Sequence, residues 1–208
     1  MHRHAGTAAI SLATAAALMF VLVGCAPAPA APVPESSSTP TPTPSPTAEP
    51  EPTAGPRTFQ LPADCASALP ESRLQQFADD GLILLGGPGG KHGDEYLADP
   101  TPEQSAGGIT CIWGHDDSDL SVTTVSVAPL GANRPAVVGN LIAQGLNETI
   151  EGDVTIYAVQ GDEDHAPGIL NILRTDSWIS VIQTTGGREA FAEALEVADE
   201  VAEQTYVG

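Results

Sequence analysis

Positive charge is scarce in this sequence. Lysine and arginine together number 7 against 27 aspartates and glutamates, only Lys91 is a lysine, and the 208 residues carry a formal charge of −20. A surface of that sign is repelled by phosphate, which excludes nucleic acid as a partner and electrostatic docking to anionic lipid head groups. Aromatic residues make up only 4%. That leaves little surface on which to stack a sugar, so carboxylate pairs that arise by chance among so many acids do not make a glycosidase. Catalytic motifs are missing as well. No Gly-x-Ser-x-Gly elbow occurs, and Pro88 stands three residues before the only lysine, which excludes Ser-x-x-Lys. The run Gly86-Gly87-Pro88-Gly89-Gly90-Lys91 fails as a phosphate loop. Leu85 takes the place of its first glycine, and His92 follows the lysine where Ser or Thr is required. It reads as a flexible surface loop. Neither an enzymatic activity nor a cofactor is expected.

Long apolar runs are also absent after residue 25, where nothing approaches the roughly 18 residues a spanning helix needs. What stands before it is a leader. Arg3 lies between His2 and His4, residues 8–23 are apolar or small, and no basic stop-transfer cluster follows. This pattern predicts a signal peptide over residues 1–24. It ends in Leu22-Val23-Gly24-Cys25, which resembles the lipobox of bacterial lipoproteins. The resemblance implies a diacylglyceryl, palmitate-bearing Cys25 at the mature N-terminus. The alternative is an ordinary signal peptide with an unrelated cysteine behind it. Two acyl chains, at about 0.8 kcal/mol per buried methylene, anchor a protein to a bilayer without a spanning helix. The expected location is therefore the outer face of the cell membrane, and the loss of Arg3 makes the mature chain one charge more negative.

Residues 25–56 form the next segment. Its Thr-Pro alternation over residues 38–47 cannot build a core and favours extended polyproline II. At about 3.1 Å per residue, such a tether reaches on the order of 90 Å from the bilayer. Its threonines are also potential acceptors of O-linked sugar. Residues 57–208 then make one acidic globular domain. With Cys25 committed to lipid, Cys65 and Cys111 remain as an even pair in an oxidising compartment, which predicts a disulfide. The competing reading, a free thiol nucleophile, needs a histidine and an acid close by.

Apolar periodicity places a helix over residues 70–80, with Leu69, Leu74 and Phe77 on one side, and a strand over 82–85. A strand pair over 109–114 and 120–128 turns at 115–119, and imperfect alternation of Val122, Val125 and Val127 suggests a bulge. A helix follows over 135–146, with Val138, Leu141, Ile142 and Leu146 inward. A strand over 154–159 and a hairpin of 169–174 with 178–184 come next. The last helix, over 188–204, carries a stripe of Phe191, Ala194, Leu195, Ala198, Val201 and Ala202, with most of its glutamates outside it. This order predicts an α+β domain, an antiparallel sheet with helices packed on it.

Pro62-Ala63-Asp64-Cys65 with Leu69, and Cys111-Ile112-Trp113 before a Val-rich strand, resemble a pattern in actinobacterial lipoproteins of unknown function. The resemblance runs over most of residues 62–207. It implies the Cys65–Cys111 bridge and a PsbP-like α/β/α sandwich, and it implies no activity.

Three groups of residues invite a binding role. Asp116, Asp117 and Asp119 in one turn, and Asp162 and Asp164 in another, could attract Ca²⁺, though neither set has EF-hand spacing and aspartate is an ordinary turn residue. His92, His115 and His165 lack paired zinc spacing. Trp113 and Trp178, each in a strand, either pack the core or line an apolar pocket between sheet and helix. These readings make the domain a non-catalytic binding module of the envelope. Its partner is then another envelope protein meeting an acidic face, or a small apolar ligand carried in such a pocket. A third reading, an envelope hydrolase using the Asp/Glu clusters, finds no catalytic spacing among them.

Overall fold

A computed structural model describes residues 55–208. The leader, Cys25 and nearly all of the proline-rich tether lie outside the described residues. Nine strands and four helices follow in the order β1 (Thr58–Phe59), α1 (Glu71–Asp79), β2 (Leu82–Gly86), α2 (Pro102–Ser105), β3 (Ile109–His115), β4 (Leu120–Pro129), α3 (Arg134–Ala143), β5 (Asn147–Glu151), β6 (Val154–Val159), β7 (Gly168–Leu173), β8 (Ser177–Gln183), α4 (Arg188–Thr205) and β9 (Tyr206–Val207). Seven strands form one antiparallel sheet in the order β2-β3-β4-β8-β7-β6-β5, and β1 pairs with β9 apart from it. The fold is the expected α+β arrangement, with helices on both faces of the sheet.

The two faces are built from different chemistry, because strand residues alternate sides. Val125, Val127, Leu170, Ile172, Ile179 and Val181 point to one face and form its core with Ala194, Val197, Ala198 and Val201 of α4 and Phe77 of α1. The opposite face has Val137 and Leu141 of α3 over Tyr157, Leu173 and Trp178. Between these apolar groups its positions are polar: Thr110, Ser126, Asn171 and Ser180 are all buried.

Cys65 and Cys111 form the disulfide, with Cα atoms 5.5 Å apart and a sequence separation of 46. Closing that loop stabilises the fold by about 4 kcal/mol in the chain-entropy model. Gly87 lies against the bridge at φ +92°, where a Cβ would meet the Thr110 carbonyl and come within 3.0 Å of Cys65 Sγ. The glycine-rich loop is held rather than loose. Lys91 N–H donates to the Leu84 carbonyl and His92 N–H to that of Leu85, so the loop covers the outer edge of β2. The expected bulge is present: Trp113 pairs with Thr123 but Gly114 with Ser121, leaving Val122 extra.

Two helices are rotated from the sequence expectation. In α3 the inward residues are Val137 and Leu141, while Ile142 is 57% exposed; the helix ends at Ala143, with Gly145 at φ +79°, and Leu146 is buried beyond it. In α4 Val197 is buried and Leu195 faces water. Three of its glutamates converge on Arg73 of α1. Arg73 Nε and Nη2 donate to the Glu200 carboxylate at 2.7 and 3.0 Å, with Glu193 and Glu196 at 3.5 and 3.6 Å. This buried guanidinium locks α1 to α4, and its acidic partners raise its pKa further, led by Glu200.

Candidate functional site

Helices α2 and α3 leave part of the polar sheet face uncovered between them. The gap is a cleft of about 170 Å³. Its floor is sheet: Thr124 and Ser126 from β4, Ile169 and Asn171 from β7, and Trp178, Ser180 and Ile182 from β8. One wall is Val137, Asn140, Leu141 and Gln144. Their spacing of i, i+3, i+4 and i+7 puts all four on one face of α3 and its end. The other wall is Thr101, Pro102 and Glu103. Ser126 and Ser180 present only small hydroxyl side chains to this space.

The second wall is fixed by a reciprocal cap. Thr101 Oγ1 accepts from the Gln104 N–H at 3.1 Å, and Gln104 Oε1 accepts from the Thr101 N–H at 2.9 Å. Pro102 occupies the first helical turn. A chain of hydroxyls ties this cap to the sheet, Thr101 to Thr110 at 2.8 Å and Thr110 to Ser126 at 2.9 Å. The cap positions Glu103, which is only 7% exposed. Its carboxyl faces Thr101 and Ser180, and burial is the main cause that pushes its pKa above the usual glutamate range. No cation pairs with it among the described residues. Arg73, Lys91, His92 and His165 bind other carboxylates, and Arg134 donates to the Arg174 carbonyl and Thr155.

Trp178 is 3% exposed and forms part of the floor, with its indole N–H donated to Asn171 Oδ1 at 2.9 Å. Trp113, 4% exposed, points to the other face and packs in the core with its ring 5.3 Å from that of Phe77. Of the two tryptophans only Trp178 meets the cleft. Glu103, Asn171 and Ser180 were not singled out from the sequence. The signal for Glu103 was there: Thr101-Pro102-Glu103-Gln104 is a capping-box motif with proline at its first helical position.

The aspartate clusters are occupied by the chain's own groups. Lys91 Nζ lies 2.8 Å from both Asp116 Oδ1 and Asp119 Oδ1, in the place a cation would take. His92 Nε2 is 3.1 Å from Asp119, whose pKa is lowered first by the Lys91 hydrogen bond. Asp117 joins neither contact. Asp162 Oδ1 accepts the backbone N–H groups of Asp164 and His165, an Asx turn that lowers its pKa. No group of three or more candidate metal ligands occurs among the described residues. A wider open groove of about 580 Å³ lies beside Tyr206. Two arginines, Arg57 and Arg174, share it with four carboxylates, which leaves its lining net negative, and Arg174 stacks on Tyr206 at 5.3 Å. Tyr206 itself is pushed up to about 12 by burial and by its bond to Asp176.

Compared with known proteins, this chain matches no family model, no curated protein and no solved structure.

Proposed function

We propose that the chain is a lipid-anchored envelope protein whose domain binds, without chemical transformation, a small molecule of largely apolar body in the cleft beside Trp178. The observation that carries this reading is the asymmetry of the sheet. Central positions that face α4 are valine, leucine and isoleucine, whereas the same strands turn Ser126, Asn171 and Ser180 toward the cleft. Burying hydroxyls and amides costs free energy unless each is hydrogen-bonded, and here Ser126 bonds Thr110 while Asn171 bonds Trp178, so the polar floor is held in place beside the cleft. An apolar wall with a few convergent polar groups is the usual construction of a ligand site. Its size suits a compact molecule, since an apolar cavity of about 150 Å³ takes benzene.

The lipobox-like Leu22-Val23-Gly24-Cys25 supports anchoring at the membrane, and a disulfide between the remaining cysteines accords with an oxidising compartment. The resemblance to actinobacterial lipoproteins adds the same location and no activity. Docking of an envelope protein on the acidic surface is the weaker reading, because three glutamates of α4 already converge on Arg73.

A native mass spectrum of the protein, gently extracted from its own membrane, tests both parts. Expected are the mass of acyl chains on Cys25 and a non-covalent companion on the order of 100 Da, the size of a single substituted ring. Cys25→Ser is expected to release the protein into the medium. Membrane retention of that variant would count against the anchor, and a co-purifying polypeptide in place of a small companion would favour docking.

A further inference from the structure

The cleft's charge is one-sided. Its lining contains no lysine, arginine or histidine, and its one ionisable side chain is Glu103. That carboxyl is almost fully enclosed and has no ion-pair partner among the described residues. Every other polar lining group is a hydroxyl, a carboxamide or the Trp178 indole, and the indole N–H is already given to Asn171. Hydroxyls and carboxamides both donate and accept, and Thr101 and Ser180 bond the Glu103 carboxylate, so the arrangement offers neutral hydrogen-bonding groups around one carboxylate and no positive charge.

We propose that the molecule held in the cleft is a small organic cation, an ammonium or amidinium on an apolar body, with the Glu103 carboxylate as its counter-ion. This rests on the reading of the cleft as a ligand site. An anionic ligand would meet both Glu103 and the field of a chain of charge −20, which repels anions and concentrates cations. A cation supplies what the fold withholds from Glu103, a charged hydrogen-bond donor in a place shielded from water, where such bonds are strongest. Burial already disfavours the lone carboxylate there, and an arriving ammonium reverses that penalty. The apolar body packs on Val137, Leu141 and Ile182.

Benzylammonium and benzyl alcohol separate the contributions, being alike in shape and different in charge. Each is titrated into the full chain at physiological salt while the two indole N–H signals are followed by NMR, with Trp113→Phe assigning that of Trp178. The expected result is that both move the Trp178 signal and that benzylammonium binds about tenfold tighter or more. In Glu103→Gln the two should bind alike, and the benzyl alcohol response certifies that the variant's cleft is formed. Equal affinity in the unmodified chain overturns the cation assignment and leaves the cleft reading standing. A preference for benzylammonium that survives Glu103→Gln overturns the role of Glu103. An unmoved Trp178 signal with both compounds overturns the cleft reading and the cation with it.

Discussion

At the scale of single residues, Glu103 is held where burial outweighs the hydrogen bonds from its own backbone, Thr101 and Ser180 that favour its anion. Its pKa lies above the ordinary 4.5, chiefly through burial. The protonated form is thus favoured by folding. Its contribution to stability is full below pH 4.5 and is lost as pH rises through the folded-state value. Glu103→Gln removes this dependence. At pH 7 the variant is expected to unfold at higher denaturant than the unmodified protein, and at pH 4 the two should converge. Urea titrations at the two pH values check this, and a variant less stable at pH 7 would show that the carboxylate is well satisfied in place. A residue that stabilises a ligand and weakens the empty protein is the usual trade at a binding site. The two tryptophans illustrate the limit of sequence reading at this scale. Both sit in strands with comparable neighbours, and only the sheet register reveals that Trp113 and Trp178 occupy opposite faces.

Among the elements, α2 has the largest consequence for its size. Four residues make it, and the Thr101–Gln104 cap fixes the wall that carries Glu103. Thr101→Ala removes the cap and one end of the hydroxyl chain, with an expected loss of about 1 kcal/mol. The same variant should weaken benzylammonium binding more than benzyl alcohol binding, because Glu103 loses its position. Equal weakening would mean that the cap serves stability alone. Most elements were legible in the sequence: α1, β2, the β3–β4 pair with its bulge, β6, the β7–β8 hairpin and α4 follow from apolar period and turn residues. β5 was not, because Asn147-Glu-Thr-Ile-Glu151 lies on the sheet edge with every residue exposed and has no apolar alternation to read. The β1–β9 pair was missed because two residues cannot establish a period. In α3, the short helix and Gly145 stop the pattern early, so Val137 rather than Ile142 faces the sheet. The cleft was only half readable. Its wall could be drawn from α3 and the capping box, but its floor depends on which polar strand residues share a face.

For the whole molecule, the disulfide ties the segment before α1 to the middle of β3, and Arg73 ties α1 to α4. These two ties close the apolar face, where no opening is needed. The opposite face has neither and is covered by a four-residue helix and a ten-residue one. Covalent and ionic ties thus hold one side of the sheet, and the cleft lies on the other. The most direct test of that division is native mass spectrometry of the membrane-extracted protein beside a variant, Gln144→Trp, whose added side chain at the exposed rim occupies the cleft. The expected result is a small companion on the unmodified protein that is absent from the variant. A companion retained equally by both, or found on neither, would contradict a ligand site beside Trp178.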